Sequence, residues 1–282
     1  MMVYKVYKMC YAENLAARGI NKTFWIVPLA VAALCGGSCT THRFYSPTSA
    51  HLPLMNRQHY ALATGSWSSG NDFKSLQADI AYSPLPYLGL LAYYSGVWFK
   101  TTVPHSSFRP YSPMSHEGKT WAAGGALGGY LPFGRRKTHI LSLFAGMGTG
   151  RTNIDYYFTV VSDKKFNANW RQTRWYVQPA IGLSGRWLHG GAGMRFNWLN
   201  YTDGRINSNI EPAELYRIEQ LPAESPIATN EFFGAIGVHW LAFTLNLEFT
   251  TVASITAVAK HIDLGSQRVS LGLGVYLHEL LE

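Results

Sequence analysis

Charge is scarce in this sequence, and long hydrophobic runs are missing from it. Charged residues make up 14% of the 282 residues, against roughly 25% in an average soluble protein. No apolar run reaches the ~18 residues that mark a membrane-spanning helix. Hydrophobic residues still account for 47% and aromatic residues for 14% of the chain, which also contains 27 glycines. The composition therefore disfavours both a cytosolic enzyme and a helical membrane protein, and it favours a membrane β-barrel.

Cysteine is nearly absent, and its three copies all lie near the N-terminus, at Cys10, Cys35 and Cys39. Cleavage just before Cys39 would leave that cysteine alone in the mature chain, which excludes a disulfide framework, a CxxC metal site and a thiol nucleophile. It would also remove four of the 24 basic and one of the 16 acidic residues, leaving a net charge of +5. This positive charge is scattered along the chain, so we expect no nucleic-acid partner.

The N-terminal region has the layout of a signal peptide. The run Phe24–Leu34 has the length of a signal-peptide apolar region, and Arg18 and Lys22 supply positive charge before it. Small residues then lead to Cys39, an arrangement that resembles a bacterial lipoprotein signal, in which the cysteine is acylated and becomes the mature N-terminus. We predict a lipoprotein-type signal peptide over residues 1–38 with lipidation at Cys39. The alternatives are lipidation at Cys35, or a short buried helix in place of the signal.

Catalytic motifs are missing too. The chain has no Walker loop, no G-x-G-x-x-G, no HExxH and no G-x-S-x-G. The segment Gly124–Gly129 resembles a phosphate loop only in composition, because it lies within a strand pattern, where glycine lets lumen side chains approach closely. Ten histidines are dispersed without ligand spacing. The sequence therefore predicts no metal site and no cofactor.

Strict alternation of apolar residues is the main structural signal. Between Thr173 and Leu183, and again between Leu188 and Trp198, apolar side chains occupy every second position, which is the side-chain period of a β-strand. Each strand of this hairpin runs for about ten residues, near the length that a tilted strand needs to cross a bilayer. The hairpin indicates a transmembrane β-barrel.

The same pattern along the chain predicts about ten strands, within a range of eight to twelve. The turns after the second, fourth, sixth and eighth strands are short, and the connections after the third, fifth, seventh and ninth are long, which is typical of outer-membrane barrels with both chain ends in the periplasm. The predicted fold class is all-β, an antiparallel up-and-down transmembrane barrel over residues 58–282, preceded by a periplasmic linker at 39–57. The predicted strands are His59–Trp67, Asp72–Tyr82, Tyr87–Lys100, Thr120–Leu131, His139–Tyr156, the two strands within Trp170–Tyr201, Glu231–Trp240, Leu241–Val252 and Gln267–His278.

The outward faces of these strands carry no charge over most of their length, as contact with lipid requires. Aromatic residues near the strand ends predict the girdles of a membrane barrel. Periodicity alone does not separate this arrangement from a soluble sandwich or lipocalin-like barrel with its apolar side chains inward. The girdle residues are Trp121, Tyr156, Trp175, Trp187, Trp198, Tyr201 and Trp240.

Together, these features resemble a known class of protein. The signal with its cysteine, the Phe-Tyr-Ser-Pro segment at 44–47, the Leu-Pro-Leu at 52–54 and the Gly-rich amphipathic strands are similar to the lipoprotein-type outer-membrane β-barrels of Bacteroidota. The resemblance covers the mature chain loosely and implies a location, because most members of this class have no assigned function. The chain departs from many outer-membrane barrels in lacking a terminal aromatic residue.

Polar residues on the inward faces form the one candidate site. A barrel of about ten strands has little free bore, and buried charges must be paired, so we predict an arginine–carboxylate network that braces the wall. The sharper alternative is an acid/base site of a lipid-modifying enzyme, with Ser184 or His189 and a carboxylate at the membrane rim. The predicted lumen residues are Asp79, Arg174, Gln178, Arg195, Asn246 and Glu248.

The functional hypothesis is a structural or binding role without catalysis, performed by the extracellular loops at 101–117, 157–169 and 202–230. The expected partners are outer-membrane lipid and a glycan, lipopolysaccharide or envelope protein. A lipid-modifying barrel enzyme and a soluble, lipid-anchored ligand-binding barrel are the alternatives.

Overall fold

The structure is a computed structural model. It describes residues 52, 54–69, 73–102, 115–158, 164–207, 223, 225–254 and 267–280. The signal peptide, the lipidation site Cys39 and the linker up to residue 51 lie outside the described residues and stay predictions.

Ten antiparallel strands form a closed barrel in which each strand pairs with its neighbours in chain order and the first pairs with the last. This confirms the predicted all-β, up-and-down barrel of ten strands. A four-residue helix, α1 (Leu277–Leu280), follows the last strand, and no helix in the described ranges is long and apolar enough to cross a membrane. The strands are β1 (Ala61–Ser69), β2 (Phe73–Leu85), β3 (Leu88–Thr102), β4 (Ser115–Phe133), β5 (His139–Phe158), β6 (Lys164–Ser184), β7 (Leu188–Asn207), β8 (Ile227–Trp240), β9 (Phe243–Ser254) and β10 (Gln267–Tyr276).

The connections differ at the two rims. The short-turn rim carries the turns at 86–87, 134–138, 185–187 and 241–242, together with the start of β1 and the end of β10. The long-loop rim carries the connections at 70–72, 103–114, 159–163, 208–226 and 255–266. The predicted asymmetry is therefore present, with one exception between β5 and β6.

The loop predicted at 157–169 is wrong, because most of it is strand. Asn153 pairs with Asn169 and Tyr157 with Lys165, so β5 and β6 continue as a polar ribbon to a connection of 159–163. Beyond the apolar band the outward side chains contact water, so the outward positions of this hairpin are polar, as they are in a loop. The turn predicted at 83–86 was also too long. β2 continues to Leu85 through a bulge after Tyr82, where a proline removes no ladder hydrogen bond.

Large apolar side chains cover the outer wall. Leu143, Ile181 and Leu245 are each about half exposed, which excludes the soluble alternative with its apolar face inward. Two aromatic girdles bound this apolar band. Trp121 and Phe133 lie on the same face of β4, 12 residues apart. At about 3.3 Å per residue and a tilt of roughly 40° this separation spans about 30 Å, the thickness of a bilayer core.

The girdle at the long-loop rim consists of Trp67, Trp98, Trp121, Trp175 and Trp198, and the girdle at the short-turn rim of Tyr82, Tyr87, Phe133, Trp187 and Trp240. Tyr201 was assigned wrongly to a girdle. It lies on the inward face of β7 and is 1% exposed. Side chains alternate between the two faces of a strand, and Tyr201 is three positions beyond the outward Trp198, so it points inward.

Candidate functional site

The lumen near the short-turn rim is filled by an apolar cluster to which the segment before β1 contributes. Leu52, Leu54 and Met55 are buried inside the barrel. They belong to the end of the predicted linker, so at least this part of it packs with the barrel domain. The wall residues of the cluster are Tyr60, Leu62, Ala81, Tyr130, Ile140, Phe144, Ala180, Phe233 and Tyr276.

Glycines in the wall make room for this segment. Gly182 and Gly191 face each other directly across β6 and β7. A Cβ added at Gly191 would lie 2.6 Å from Leu52 Cδ2, and one added at Gly89 would lie 2.8 Å from Met55 Sδ. A side chain at these positions would therefore displace the segment. The segment packs against the wall at positions where the wall residues have no side chain.

The glycine-rich run of β4 also makes room, in this case for side chains of the barrel wall that point into the lumen. A Cβ added at Gly124 would collide with the ring of Tyr93, and one at Gly128 with Phe144. The interpretation of Gly124–Gly129 as part of a strand is confirmed, because the whole run lies within β4. Lumen side chains approach Gly124 and Gly128, whereas Gly125 meets only a backbone oxygen.

Above the apolar cluster, two arginines share one buried carboxylate. Arg195 Nη1 donates to Glu231 Oε2 at 3.0 Å, and Arg174 Nη1 lies 4.0 Å from Glu231 Oε1. Arg195 Nε donates to Gln178 Oε1 at 2.9 Å, and Arg174 Nη2 donates to the hydroxyl of Tyr93 at 2.5 Å. Tyr176 lies between the guanidinium groups, with its ring centroid 5.1 Å from Arg174 Cζ and 5.0 Å from Arg195 Cζ. This group gives each arginine at least one hydrogen-bond acceptor and a cation–π surface.

A second charged group lies on β1, β2, β9 and β10. Gln77 Nε2 donates to both carboxylate oxygens of Asp79, at 2.8 and 3.0 Å. Arg268 Nε donates to the hydroxyls of Ser68 and Ser270, both at 3.1 Å, and interacts electrostatically with Glu248 and Asp79. Among the described residues, the buried ionisable side chains of the lumen thus include three arginines, Arg174, Arg195 and Arg268, and three carboxyl groups, Asp79, Glu231 and Glu248.

A neutral group completes the polar layer near the short-turn rim. His189 Nε2 lies 2.6 Å from Asn246 Oδ1 and 3.1 Å from Thr244 Oγ1. Ser184 is the direct cross-strand partner of His189, but none of the described contacts is a hydrogen bond between the two side chains. The cavity beside His189, Asn246 and Glu248 has a volume of about 20 Å³, which is room for a single water molecule.

Towards the long-loop rim the buried lumen side chains are of mixed character. On β6 and β7 the apolar Trp170 and Leu199 are at 1% exposure or less, and the polar Gln172 is buried beside them. On β1 and β10 the buried side chains at this end are polar or charged, among them Ser68 and Arg268.

All six predicted lumen residues, Asp79, Arg174, Gln178, Arg195, Asn246 and Glu248, are inward and buried. The structure places Arg174, Gln178 and Arg195 in one group, Asp79 and Glu248 in the second, and Asn246 with His189. The sequence prediction missed Glu231 and Arg268, although both have the inward parity of their strands. Glu231 was overlooked because it was placed at the first position of its strand.

The short-turn rim has a small cluster of its own. His278 Nδ1 accepts from the backbone N–H of Ala61 at 3.0 Å, so α1 is joined to the start of β1. Glu279 lies 3.5 Å from His239 Nε2, 3.8 Å from His278 Nε2 and 3.9 Å from Arg57 Nη2. Within the described ranges, no three His, Cys, Asp or Glu side chains are placed to hold a metal ion together.

Comparison with known proteins finds similarity of structure only. No family model matches the chain, and no curated protein matches its sequence. Neisserial surface protein A (NspA) matches at 13% identity and a TM-score of 0.32, over 77% of this chain and 95% of that one. The outer-membrane protease OmpT of Escherichia coli matches at 7% and 0.44, over 78% and 94%. LpxR of Salmonella typhimurium matches at 8% and 0.36, over 77% and 100%. The fold is shown by the chain's own strands, which form a closed ten-stranded barrel with an apolar outer wall.

Proposed function

We propose that this protein is a lipid-anchored barrel of the bacterial outer membrane whose role is structural or binding. In this proposal Cys39 carries the lipid, both chain ends lie in the periplasm, and the long-loop rim faces the cell surface. The protein acts through that rim and the wall beneath it, and it catalyses no reaction. The resemblance to lipoprotein-type barrels of Bacteroidota supports the anchor, and the position of the short turns supports the orientation.

The observation that carries the proposal is the filled lumen. Glu231 is fully buried between Arg174 and Arg195, and the apolar cluster with Leu52, Leu54 and Met55 fills the lumen on the short-turn side of this charged group. A channel needs a continuous polar path, and a catalytic group needs access to substrate. Charges that pair with each other inside the wall instead brace it. The surface is then what remains available for binding.

Location and orientation are tested together by labelling with an impermeant maleimide. Arg205→Cys places a thiol near the long-loop rim, and Arg136→Cys is the matched change at the short-turn rim; both side chains are exposed. We expect labelling of intact cells at residue 205 alone, and at residue 136 after the outer membrane is opened. Labelling of residue 136 in intact cells would reverse the proposed orientation.

The anchor is tested by Cys39→Ser. If the barrel is embedded, the variant stays in the outer membrane, resists carbonate extraction and shifts its gel mobility on heating. Release as a soluble periplasmic protein would overturn the proposal.

A lipid-modifying enzyme is the second candidate, and the cross-strand pairing of Ser184 with His189 favours it. The arrangement lacks one requirement of such a site, because His189 Nε2 is held by Asn246 and Thr244 and not by a carboxylate. Deletion of the gene followed by mass analysis of the envelope lipids distinguishes the two candidates. A lipid modification lost on deletion, and not restored by a Ser184→Ala copy, would establish the enzyme.

A further inference from the structure

Two arginines face each other on the outer wall near the long-loop rim. Arg151 of β5 and Arg171 of β6 are direct cross-strand partners, and both side chains point outward and are exposed. Like charges directly opposite each other destabilise a sheet. The carboxylate near this pair is that of Asp203, 3.9 Å from Arg171, and both of these side chains are about 60% exposed, so the contact is weak. Among the described residues Arg151 has no carboxylate partner.

The pair lies at the level where a bilayer has its headgroups. Trp121 of the long-loop girdle occupies the same row, as the cross-strand partner of Arg151. Lys119 of β4 also points outward nearby, and so does Lys100 of β3, which pairs with Glu117. An anion held by two guanidinium groups at this depth is favoured, because bidentate arginine contacts suit phosphate geometry and the membrane lowers the local dielectric.

On the membrane side of the arginines, four residues along each strand, the outer wall is indented. A groove of about 510 Å³ lies over β4, β5 and β6. Its floor is formed at Gly125, Ala145 and Val177, where side chains are absent or short, and its sides by Met147, Trp175 and Trp198. Met147 is four residues from Arg151, and Trp175 four residues from Arg171, each on the same strand face. The groove therefore lies on the membrane side of the arginine pair, with one row, Thr149 and Thr173, between them.

We propose that this surface, defined by Arg151, Arg171 and the groove at Gly125, Ala145 and Val177, binds a lipid A-type molecule of the outer leaflet. A phosphate of the lipid lies between the two guanidinium groups, and one acyl chain lies in the groove. The choice of lipid rests on the proposed function, which places the long-loop rim at the cell surface. Charge complementarity favours a phosphate at the arginines, and the apolar groove on their membrane side favours a ligand that also has an acyl chain.

The test is native mass spectrometry of the purified barrel in detergent, titrated with bisphosphorylated lipid A. Dephosphorylated lipid A and inorganic phosphate are the comparison probes. We expect bound lipid A, at least about tenfold weaker binding of the dephosphorylated lipid, and no retained inorganic phosphate, because both parts of the ligand contribute. Equal binding of the phosphorylated and dephosphorylated lipids would overturn the proposal.

Two variants with matched controls localise the binding. Arg151→Gln combined with Arg171→Gln is expected to weaken lipid A binding at least about tenfold, while Arg135→Gln combined with Arg136→Gln, the same charge loss at the short-turn rim, leaves it unchanged. Ala145→Leu fills the groove and is expected to weaken binding as well. Ala192→Leu, the same change on the outer face of β7 and outside the groove, is its control. Heat-dependent gel mobility verifies that each variant is folded.

The outcomes separate this inference from the proposed function. Labelling at residue 205 in intact cells, with lipid A binding that is unaffected by the arginine variants, leaves the proposed function standing and overturns the inference. Labelling at residue 136 in intact cells overturns the proposed orientation, and with it the assignment to the outer leaflet, whatever the detergent experiment shows.

Discussion

Arg195 and Glu231 form an ion pair inside the barrel wall, at 3.0 Å from Nη1 to Oε2, with side-chain exposures of 5% and 0%. Arg174 approaches the other oxygen of the same carboxylate. Removing a carboxylate from such a site leaves two buried positive charges uncompensated. We therefore expect Glu231→Gln to lower the free energy of unfolding by about 3–5 kcal/mol.

Urea unfolding in lipid vesicles, followed by tryptophan fluorescence, measures this loss. The control is Glu117→Gln, because Glu117 pairs with Lys100 at 3.6 Å on the outer face and its side chain is 43% exposed. That change is expected to cost no more than about 1 kcal/mol. Equal effects of the two substitutions would show that the lumen network does not brace the wall.

The segment before β1 depends on the absence of side chains at the wall positions that it covers. Leu54 packs against Gly182, so Gly182→Leu is expected to expel residues 52–55 from the lumen. Limited proteolysis of the folded barrel should then cut within this segment, which the parent protein protects. Gly65→Leu is the matched control, because Gly65 points outward and a Cβ added there meets nothing within 4 Å. Unchanged protection in the Gly182 variant would contradict the packing.

The sequence predicted the fold well for the parts of the strands that contact lipid. Outward positions must be apolar, so the alternation at Trp175, Ile181 and Leu245 determined both the strands and their faces. The rule ends at the girdle. Beyond it, polar residues of β5 and β6 continue to pair, and nothing in their composition distinguishes them from a loop.

The sequence predicted which kinds of residue face the lumen, but it predicted less well which of them contact each other. Parity placed Asp79, Arg174 and Arg195 inside, but period-two patterns do not reveal which strands face each other across the bore. Glu231 is the direct cross-strand partner of Arg195 and was missed for a different reason, its placement at the first position of its strand. The segment at Leu52 and Leu54 was missed because its short apolar run looks like a linker. The inward glycines Gly89, Gly182 and Gly191 were the available signal, since they leave space at one level of the wall.

The closure of the barrel between β1 and β10 is reinforced by His278. Its Nδ1 accepts from the backbone N–H of Ala61 at 3.0 Å, and its ring lies 5.3 Å from that of Tyr60 and 5.7 Å from that of Tyr276. We expect His278→Ala to cost about 1–3 kcal/mol, because a partly buried backbone donor loses its acceptor. Refolding yield into vesicles and the urea midpoint measure it.

His139→Ala is the control for this change, since His139 is exposed and none of the described hydrogen bonds uses its side chain. That variant is expected to stay within about 0.5 kcal/mol of the parent protein. A loss of similar size in both variants would mean that His278 stabilises no more than an exposed histidine does.

Burial of the outer wall in lipid predicts that the cost of a charge depends on its depth. Leu143 points outward from β5 within the apolar band and is 57% exposed in the isolated barrel. Leu143→Lys is therefore expected to cost about 2–4 kcal/mol in vesicles, while Asn153→Lys, on the same face of β5 but beyond the girdle, should cost no more than about 1 kcal/mol. Urea unfolding of both variants in vesicles gives the comparison. In a soluble barrel both positions would contact water, and the two lysines would then have equally small effects.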